Sequence, residues 1–352
     1  MQSLSTKNLL EIDANSEHEK VVLWSDENSG YRGIIAIHST ALGPAVGGTR
    51  FWNYESDELA TRDALRLSRG MSYKNALADL PFGGGKAVII GDHRLLDREK
   101  IFRAHGKFVE MLRGQYITAE DVGTTPADME VVSKETRHVG GLPGKSGNPS
   151  PKTAFGVFRA MQACAMHVWG TDDLSGRTVA IQGCGSTGYA LAENLHAAGA
   201  RLIVCDVDPA SATRAGKQFG ATTVAPDEIF GVKADVFAPC ALGGVLDDET
   251  IPRLKVEIVV GSANNQLLAD SNGEELAQRG ILFAPDYVAN SGGIINGCRE
   301  LLGWDESDTT KKISAIYDRM QALLRLADRE AIPPFRAADD LARKLIAEAP
   351  RK

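Results

Sequence analysis

Two short stretches of the chain hold residue types that can do chemistry. DLPFGGGKAVIIGD, residues 79–92, sets three glycines against Lys86 at the mouth of an apolar run. A phosphate-binding P-loop would need a glycine five residues before Gly85 and a Ser or Thr after the lysine. Leu80 and Ala87 stand there instead, so that reading fails. Glycines also permit positive φ and close passage of backbone. Lys86 is then either a solvated side chain at a turn-to-strand junction or a group with chemistry of its own. The second stretch is TVAIQGCGSTGYALAENLHAAGARLIVCDVD, residues 178–208. Gly183, Cys184, Gly185, Ser186, Thr187 and Gly188 make a GxGxxG turn between an apolar strand, Thr178 to Gln182, and an amphipathic helix reaching about Ala198. A second strand, Arg201 to Cys205, ends at Asp206. Such a turn lets a pyrophosphate approach the backbone and the free N–H groups of a helix N-terminus, while the acid accepts hydrogen bonds from ribose hydroxyls. A carboxylate at that point repels a 2′-phosphate, which favours NAD over NADP.

Elements must hold these residues. GIIAIH (33–38) reads as a strand, SDELATRDALRLSRGM (56–71) as a helix opened by Ser56, the glycines at 83–85 as a turn, and Ala87 to Ile90 as a buried strand. GGLPGKSGNPSP (140–151) suits an interdomain connection or an ordered active-site loop. Beyond it strands and helices alternate. Strands at Asp235–Pro239, Glu257–Val260 and Ile281–Ala284 run into the loops CALGG, GSANNQ and PDYVANSGG. In open α/β sheets ligands gather at such carboxyl ends, although Asn264 and Asn265 also suit ordinary turns. The length of 352 residues and 43% hydrophobic content allow two α/β domains. A net charge of -7 without a basic block argues against nucleic acid as partner. No apolar run is long enough for a transmembrane helix, and MQSLSTKNLLEIDANSEHEK lacks the form of a signal peptide. Five scattered cysteines read as reduced and intracellular, without metal-ligand spacing. The expected partner is a small molecule.

The stretches LGPAVGGTR (42–50), RLSRGMSYKNA (66–76), GGGKAVIIGD (83–92), YITAEDVGTT (116–125), GNPSPKTAFGVF (147–158), DVFAPCALGG (235–244), GSANNQL (261–267) and APDYVANSGG (284–293) together carry a resemblance. They resemble the Leu/Phe/Val/Glu amino acid dehydrogenase family, most closely its leucine dehydrogenases. The resemblance implies an N-terminal α/β substrate and assembly domain, residues 1–140, joined by a last helix at about 331–352. It also implies a Rossmann NAD-binding domain at 141–330, a deep cleft between the two, and a cytoplasmic homo-oligomer. By the same resemblance Lys86 is the catalytic base, Asp121 moves protons to and from the substrate nitrogen, and Lys74 binds the α-carboxylate. Implied cofactor contacts are Arg50, Thr153, the 183–188 turn with Tyr189, Asp206, Val207, Ala241, Leu242, Ala263 and Asn264, the last also near substrate. Arg50 has the weakest independent case, since a lone arginine after a Gly-Gly pair is commonly an ion-pair residue.

The implied reaction is reversible oxidative deamination of an apolar L-amino acid to a 2-oxo acid, ammonia and NADH, with no metal required. An ordinary lysine titrates near 10.4 and is a poor base at neutrality. Burial and the nearby Lys74 ammonium are expected to make Lys86 available as one. The family's pocket positions fall on Val46, Gly47, Ala119, Ile294 and Gly297, all small or apolar, which disfavours glutamate. Val46 and Gly297 replace the larger leucine and valine usual in the leucine enzymes. Leucine or another branched-chain amino acid is the expected substrate, with phenylalanine or tryptophan as the alternative. A non-catalytic NAD-binding regulator would be expected to lack one of Lys74, Lys86 and Asp121, and all three are present.

Overall fold

The computed structural model describes residues 17–94 and 98–350, so most of the stretch read for a signal peptide lies outside the described residues, as do 351–352. Contacts divide the chain into two units: Met1–Gly147, Gly297–Gly303 and Ala342–Lys352 in the first, Asn148–Asn296 and Trp304–Leu341 in the second. Sequence reasoning draws the division at 140/141 and keeps 297–303 with the second domain.

The first unit holds a mixed five-stranded sheet. Its order is β1 (Lys20–Asp26), β2 (Tyr31–Ser39), β4 (Gly83–Ile90), β3 (Ala45–Trp52), β5 (Tyr116–Glu120). β2 runs antiparallel to both β1 and β4, whereas β3 is parallel to β4 and β5. Helix α1 (Asp57–Leu77) covers one face, packing Ala60, Ala64 and Leu65 on Ile34, Ala36 and Val88. Helices α2 (Glu99–Met111) and α3 (Pro126–Ser133) cover the other, where Phe102, Phe108, Met129 and Val132 meet Tyr31, Ile35, Phe51 and Tyr116. With both faces buried, β2 and β4 lose the polar/apolar alternation of a half-exposed strand.

The glycines at 83–85 are not a turn but the first half of β4, and Lys86 lies inside that strand. The reason is close packing. A Cβ on Gly84 would fall within contact of the Ser72 backbone nitrogen of α1, and one on Gly85 would come to 2.7 Å from the Tyr116 ring. The same packing lengthens α1. Ser56 caps it as expected, accepting the Leu59 N–H at 3.2 Å, a contact of about 1 kcal/mol. The helix then continues past Met71 to Leu77 despite Gly70. A helical glycine costs roughly 1 kcal/mol against alanine, and burial of Ser72, Tyr73, Asn75 and Ala76 offsets this. Asn75 Nδ2 fastens the last turn to the Gly83 carbonyl at 2.6 Å. Lys74 therefore rides on the last turn of α1.

The second unit opens with α4 (Ser150–Trp169) and then builds a parallel sheet from β6 (Thr178–Gln182), β7 (Arg201–Cys205), β8 (Thr222–Thr223), β9 (Val236–Pro239), β10 (Ile258–Val259) and β11 (Leu282–Phe283). α5 (Ser186–Ala197) connects β6 to β7, and α6 (Pro209–Phe219) follows β7. The spatial order is β8-β7-β6-β9-β10-β11, which is the 3-2-1-4-5-6 order of the dinucleotide-binding fold, with its switch point between β6 and β9. Helices α7 (Asp270–Gln278), α8 (Asp286–Ala289), α9 (Gly292–Leu302), α10 (Glu306–Ser314), α11 (Ile316–Glu330) and α12 (Pro334–Ala347) complete the chain. Among the described residues no helix is long and apolar enough to cross a membrane, and all five cysteines are free.

Candidate active site

Strand register assembles the charged residues of the first unit. β3 pairs Val46 with Gly84 and Arg50 with Val88, and pairs Gly48 with Ala119 on β5. Val46, Gly48, Arg50, Lys86, Ala119 and Asp121 thus share the sheet face covered by α1. Lys86 is 7% exposed, and its Nζ lies 2.7 Å from Asp121 Oδ2. Arg50 Nε reaches the same oxygen at 3.1 Å, and Arg50 Nη1 lies 2.7 Å from Asp63 Oδ2 on α1. The Tyr54 hydroxyl donates to Asp63 as well, at 2.5 Å. Burial acts to raise the Asp121 carboxyl, but Lys86 and Arg50 outweigh it and hold the group down at about 2. Asp121 is therefore a carboxylate at any working pH. Its backbone N–H donates to Thr124 Oγ1 at 2.8 Å, and that hydroxyl reaches the Thr49 carbonyl at 3.0 Å, tying the end of β5 to β3.

Sequence reasoning did not single out Asp63 or Gly48. Gly48 makes room for the site, because a Cβ there would stand 2.8 Å from the Asp121 Cβ. Gly47 is fixed by the fold, since the Gly85 carbonyl occupies the place of its missing side chain and its own carbonyl accepts the Tyr116 hydroxyl at 2.6 Å. No local signal marks Asp63; it is one acid among several on an exposed-looking helix, and only the fold brings it to Arg50. Of the other pocket positions, Val46 is buried, Ala119 and Ile294 are half-buried, and a Cβ on Gly297 would meet nothing within 4 Å.

In the second unit the turn after β6 and the loop after β9 meet at the switch point. A Cβ on Gly183 (φ +95°) would stand 2.9 Å from the Ala241 Cβ, and one on Gly188 would strike the Gly183 carbonyl. Gly185, by contrast, faces open space and leaves α5 without a side-chain cap. Ser186 and Thr187 start that helix with N–H groups aimed at the opening. Asp206 Oδ2 accepts the Cys184 N–H at 2.6 Å and Oδ1 the Asp208 N–H at 2.8 Å, so the carboxylate is fixed beside the turn. Val207, next to Asp206 in the chain, and Leu242, next to Ala241, are 88% and 80% exposed. Tyr189 instead packs on Phe219 and the Arg214 guanidinium. Ala263 and Asn264 are held by Asn290, whose Nδ2 lies 3.4 Å from the Ala263 carbonyl and 3.1 Å from Asn264 Oδ1. Thr153 donates to the Pro149 carbonyl at 3.0 Å in the first turn of α4. An uncapped helix start, an open glycine, a fixed carboxylate and exposed apolar flanks fit a dinucleotide. Among the described residues no group of three or more His, Cys, Asp or Glu side chains is arranged to hold a metal ion.

Known proteins are similar to this chain over most of its length. The family model described as "Glu/Leu/Phe/Val dehydrogenase, dimerisation domain" matches residues 18–138, and that described as "Glutamate/Leucine/Phenylalanine/Valine dehydrogenase" matches residues 208–352. A leucine dehydrogenase of Thermoactinomyces intermedius is 51% identical over 94% of this chain and 91% of its own length. A phenylalanine dehydrogenase of Caldalkalibacillus thermarum is 46% identical over 93% of this chain and 91% of its own. The crystal structure of L-tryptophan dehydrogenase from Nostoc punctiforme superposes with a TM-score of 0.85 at 42% identity, covering 97% of this chain and all of that one. The chain belongs to the glutamate/leucine/phenylalanine/valine dehydrogenase family.

Proposed function

We propose that the protein is an NAD-dependent dehydrogenase of branched-chain L-amino acids, leucine foremost, catalysing reversible oxidative deamination to the 2-oxo acid and ammonia. The observation that carries this reading is the buried Lys86 Nζ paired at 2.7 Å with a carboxylate, Asp121, that stays ionised. The 51% identity to a leucine dehydrogenase supports the choice of substrate. The match to a dimerisation-domain model supports a homo-oligomer, and five free cysteines support a cytoplasmic location.

The 183–188 turn, Asp206, Val207, Ala241 and Leu242 would hold NAD, which supplies the acceptor for the hydride leaving the substrate Cα. Lys74 pairs with the substrate carboxylate and fixes the reacting carbon. Once neutral, Lys86 Nζ takes a proton from the water that adds to the resulting iminium carbon. The Asp121 carboxylate then shuttles protons at the nitrogen as ammonia departs and the 2-oxo acid forms. Lys86 can act only after its own proton has gone, so the firmness of its pairing to Asp121 matters for the rate.

A second reading, an aromatic amino acid dehydrogenase, draws on Gly297, beside which a side chain would meet open space. A substrate panel separates the two. NADH formation is measured with leucine, valine, isoleucine, phenylalanine, tryptophan and glutamate, and the best substrate is retested with NADP. Leucine with NAD is expected to give the highest kcat/KM, with measurable turnover of larger side chains. A higher value for phenylalanine or tryptophan would select the second reading. Equal use of NADP would overturn the role given to Asp206, and silence with every amino acid would indicate a binding protein.

A further inference from the structure

The Asp121 oxygen facing Lys86 is not Lys86's alone. Arg50 Nε contacts the same Oδ2 at 3.1 Å, against 2.7 Å for Lys86 Nζ. Two cations on one oxygen stand within about 6 Å of each other, a separation at which like charges interact strongly away from bulk water. Arg50 is itself anchored. Its Nη1 lies 2.7 Å from Asp63 Oδ2, with the arginine side chain 23% and the aspartate 17% exposed. The groups that contacts join to Lys86 on this side of the sheet are thus Asp121 after β5, Arg50 on β3, Asp63 on α1, and the Tyr54 hydroxyl, with Lys74 in the last turn of α1. On β2, His38 points the same way and bonds Ser72 of α1. Glu120, next to Asp121, alternates to the opposite face with Tyr116 and Thr118.

We propose that Arg50 is a positioning residue for proton transfer: by sharing Asp121 Oδ2 with Lys86, it loosens the hold of the carboxylate on the Lys86 ammonium and lowers the pH at which Lys86 serves as the base. This rests on the reading of Lys86 as that base. A carboxylate facing a single lysine forms a mutually stabilised pair that resists losing its proton. A guanidinium keeps its charge at every working pH, so Arg50 supplies a constant competing cation. It keeps Asp121 ionised and compensated when Lys86 has given up its proton, and repels the proton that would return. Asp63 sets the strength of the effect, because it draws part of the guanidinium charge toward α1. The arrangement makes two opposite predictions. Loss of Arg50 leaves Asp121 wholly to Lys86, whereas loss of the Asp63 charge leaves more of Arg50 to act on Asp121 and Lys86.

The test is the pH dependence of kcat/KM for leucine in wild type, Arg50→Gln, Arg50→Lys and Asp63→Asn, with NAD saturating and its KM measured alongside. The limb on which activity rises is expected to move to higher pH by about one unit in Arg50→Gln. It should move to lower pH in Asp63→Asn, and stay near wild type in Arg50→Lys. Structural damage alone lowers activity by one factor at every pH and gives no opposite shifts. The inference is overturned if the limbs of Arg50→Gln and Asp63→Asn coincide with wild type, or if Arg50→Gln only raises the KM for NAD. Should Arg50→Gln fail to fold, the acidward shift in Asp63→Asn decides the matter. Lys86→Ala separates this inference from the reading beneath it. An inactive Lys86→Ala with unmoved limbs elsewhere rejects Arg50's role alone, whereas an active Lys86→Ala with the wild-type limb rejects Lys86 as the base and this inference with it.

Discussion

The two glycine-rich stretches look alike on paper, but only one of them has a glycine that opens outward. In GCGSTG of the second unit, Gly185 opens onto free space at an uncapped helix start. In GGGK of the first unit, the space beside Gly84 is filled by α1 and that beside Gly85 by Tyr116. Gly183 and Gly188 give way to the protein's own atoms, as Gly84 and Gly85 do, and Gly185 alone of these five opens outward. Glycine against a charged or polar residue therefore signals close approach of something, but not what approaches. The neighbouring pattern decides: a strand, turn, helix and acid within 178–208 carry the proposed dinucleotide reading locally, whereas GGGK acquires its meaning from α1 and β5, far away in sequence.

The largest effect should come from separating the two halves chemically. Lys86→Ala is expected to reduce kcat by at least about a thousandfold, the upper range for loss of a general base, while NAD affinity, measured by fluorescence titration, changes little. A parallel loss of NAD affinity would mean that the two constellations are not independent, and the comparison would break.

Glycine substitutions sharpen it. Gly84→Ala forces a methyl into the Ser72 backbone nitrogen and is expected to destabilise the first unit by about 1–3 kcal/mol, the usual range for overpacking. Gly185→Ala meets nothing in the protein and should fold with an unchanged Tm, yet bind NAD more weakly because its methyl stands where backbone must approach the pyrophosphate. Calorimetry with and without NAD reads both. Equal melting temperatures for the two variants, or unaltered NAD affinity in Gly185→Ala, would show that the glycines are not divided in this way.

The same contrast explains what could be read from the sequence. The dinucleotide fold was legible in β6, β7, β9, β10 and β11 because each is a short apolar run closed by a turn, and the expected Thr178–Gln182 and Arg201–Cys205 agree with β6 and β7 to the residue; β8, the exposed pair Thr222–Thr223, carries no such signal. In the first unit, β3 reads AVGGTRFW and β4 begins GGG. Strands so rich in glycine carry little intrinsic preference for extension, and tertiary packing makes them strands. The pairing of Lys86 with Asp121 and the approach of Arg50 and Asp63 depend on register across β4, β3 and β5, which no local spacing encodes. Family resemblance implies Lys74 as the charged neighbour of Lys86 and Arg50 as a cofactor contact; the pairing of Arg50 with Asp121 and Asp63 is visible only in the fold.

Acid should reveal a smaller difference between the units. On the side of the first sheet away from Lys86, His105 is wholly buried, with Nδ1 2.8 Å from the Tyr31 hydroxyl and Nε2 2.8 Å from Thr49 Oγ1. Burial pushes its imidazole down from 6.5 to about 3. On the α1 side, burial together with the His18 and Arg69 charges lowers His38 to about 4. Both rings are neutral in the folded unit where the unfolded chain would take up a proton. Their contribution is fully present above pH 6.5 and is lost as pH falls from there toward the folded values. For His105 the slope is about 1.4 kcal/mol per pH unit. Asp121 adds its own loss lower down, between about 3.8 and 2. Between pH 7 and 5, then, amide protons of β2, β3 and β5 should lose protection before those of β6 and β7. His105→Gln, which stays neutral and can still reach Tyr31 or Thr49, should lower stability at pH 7 and flatten its fall with acid by roughly that slope. An unfolding free energy of the variant that falls between pH 6.5 and 5 as steeply as that of wild type would show that His105 is not the acid-sensitive group of the sheet.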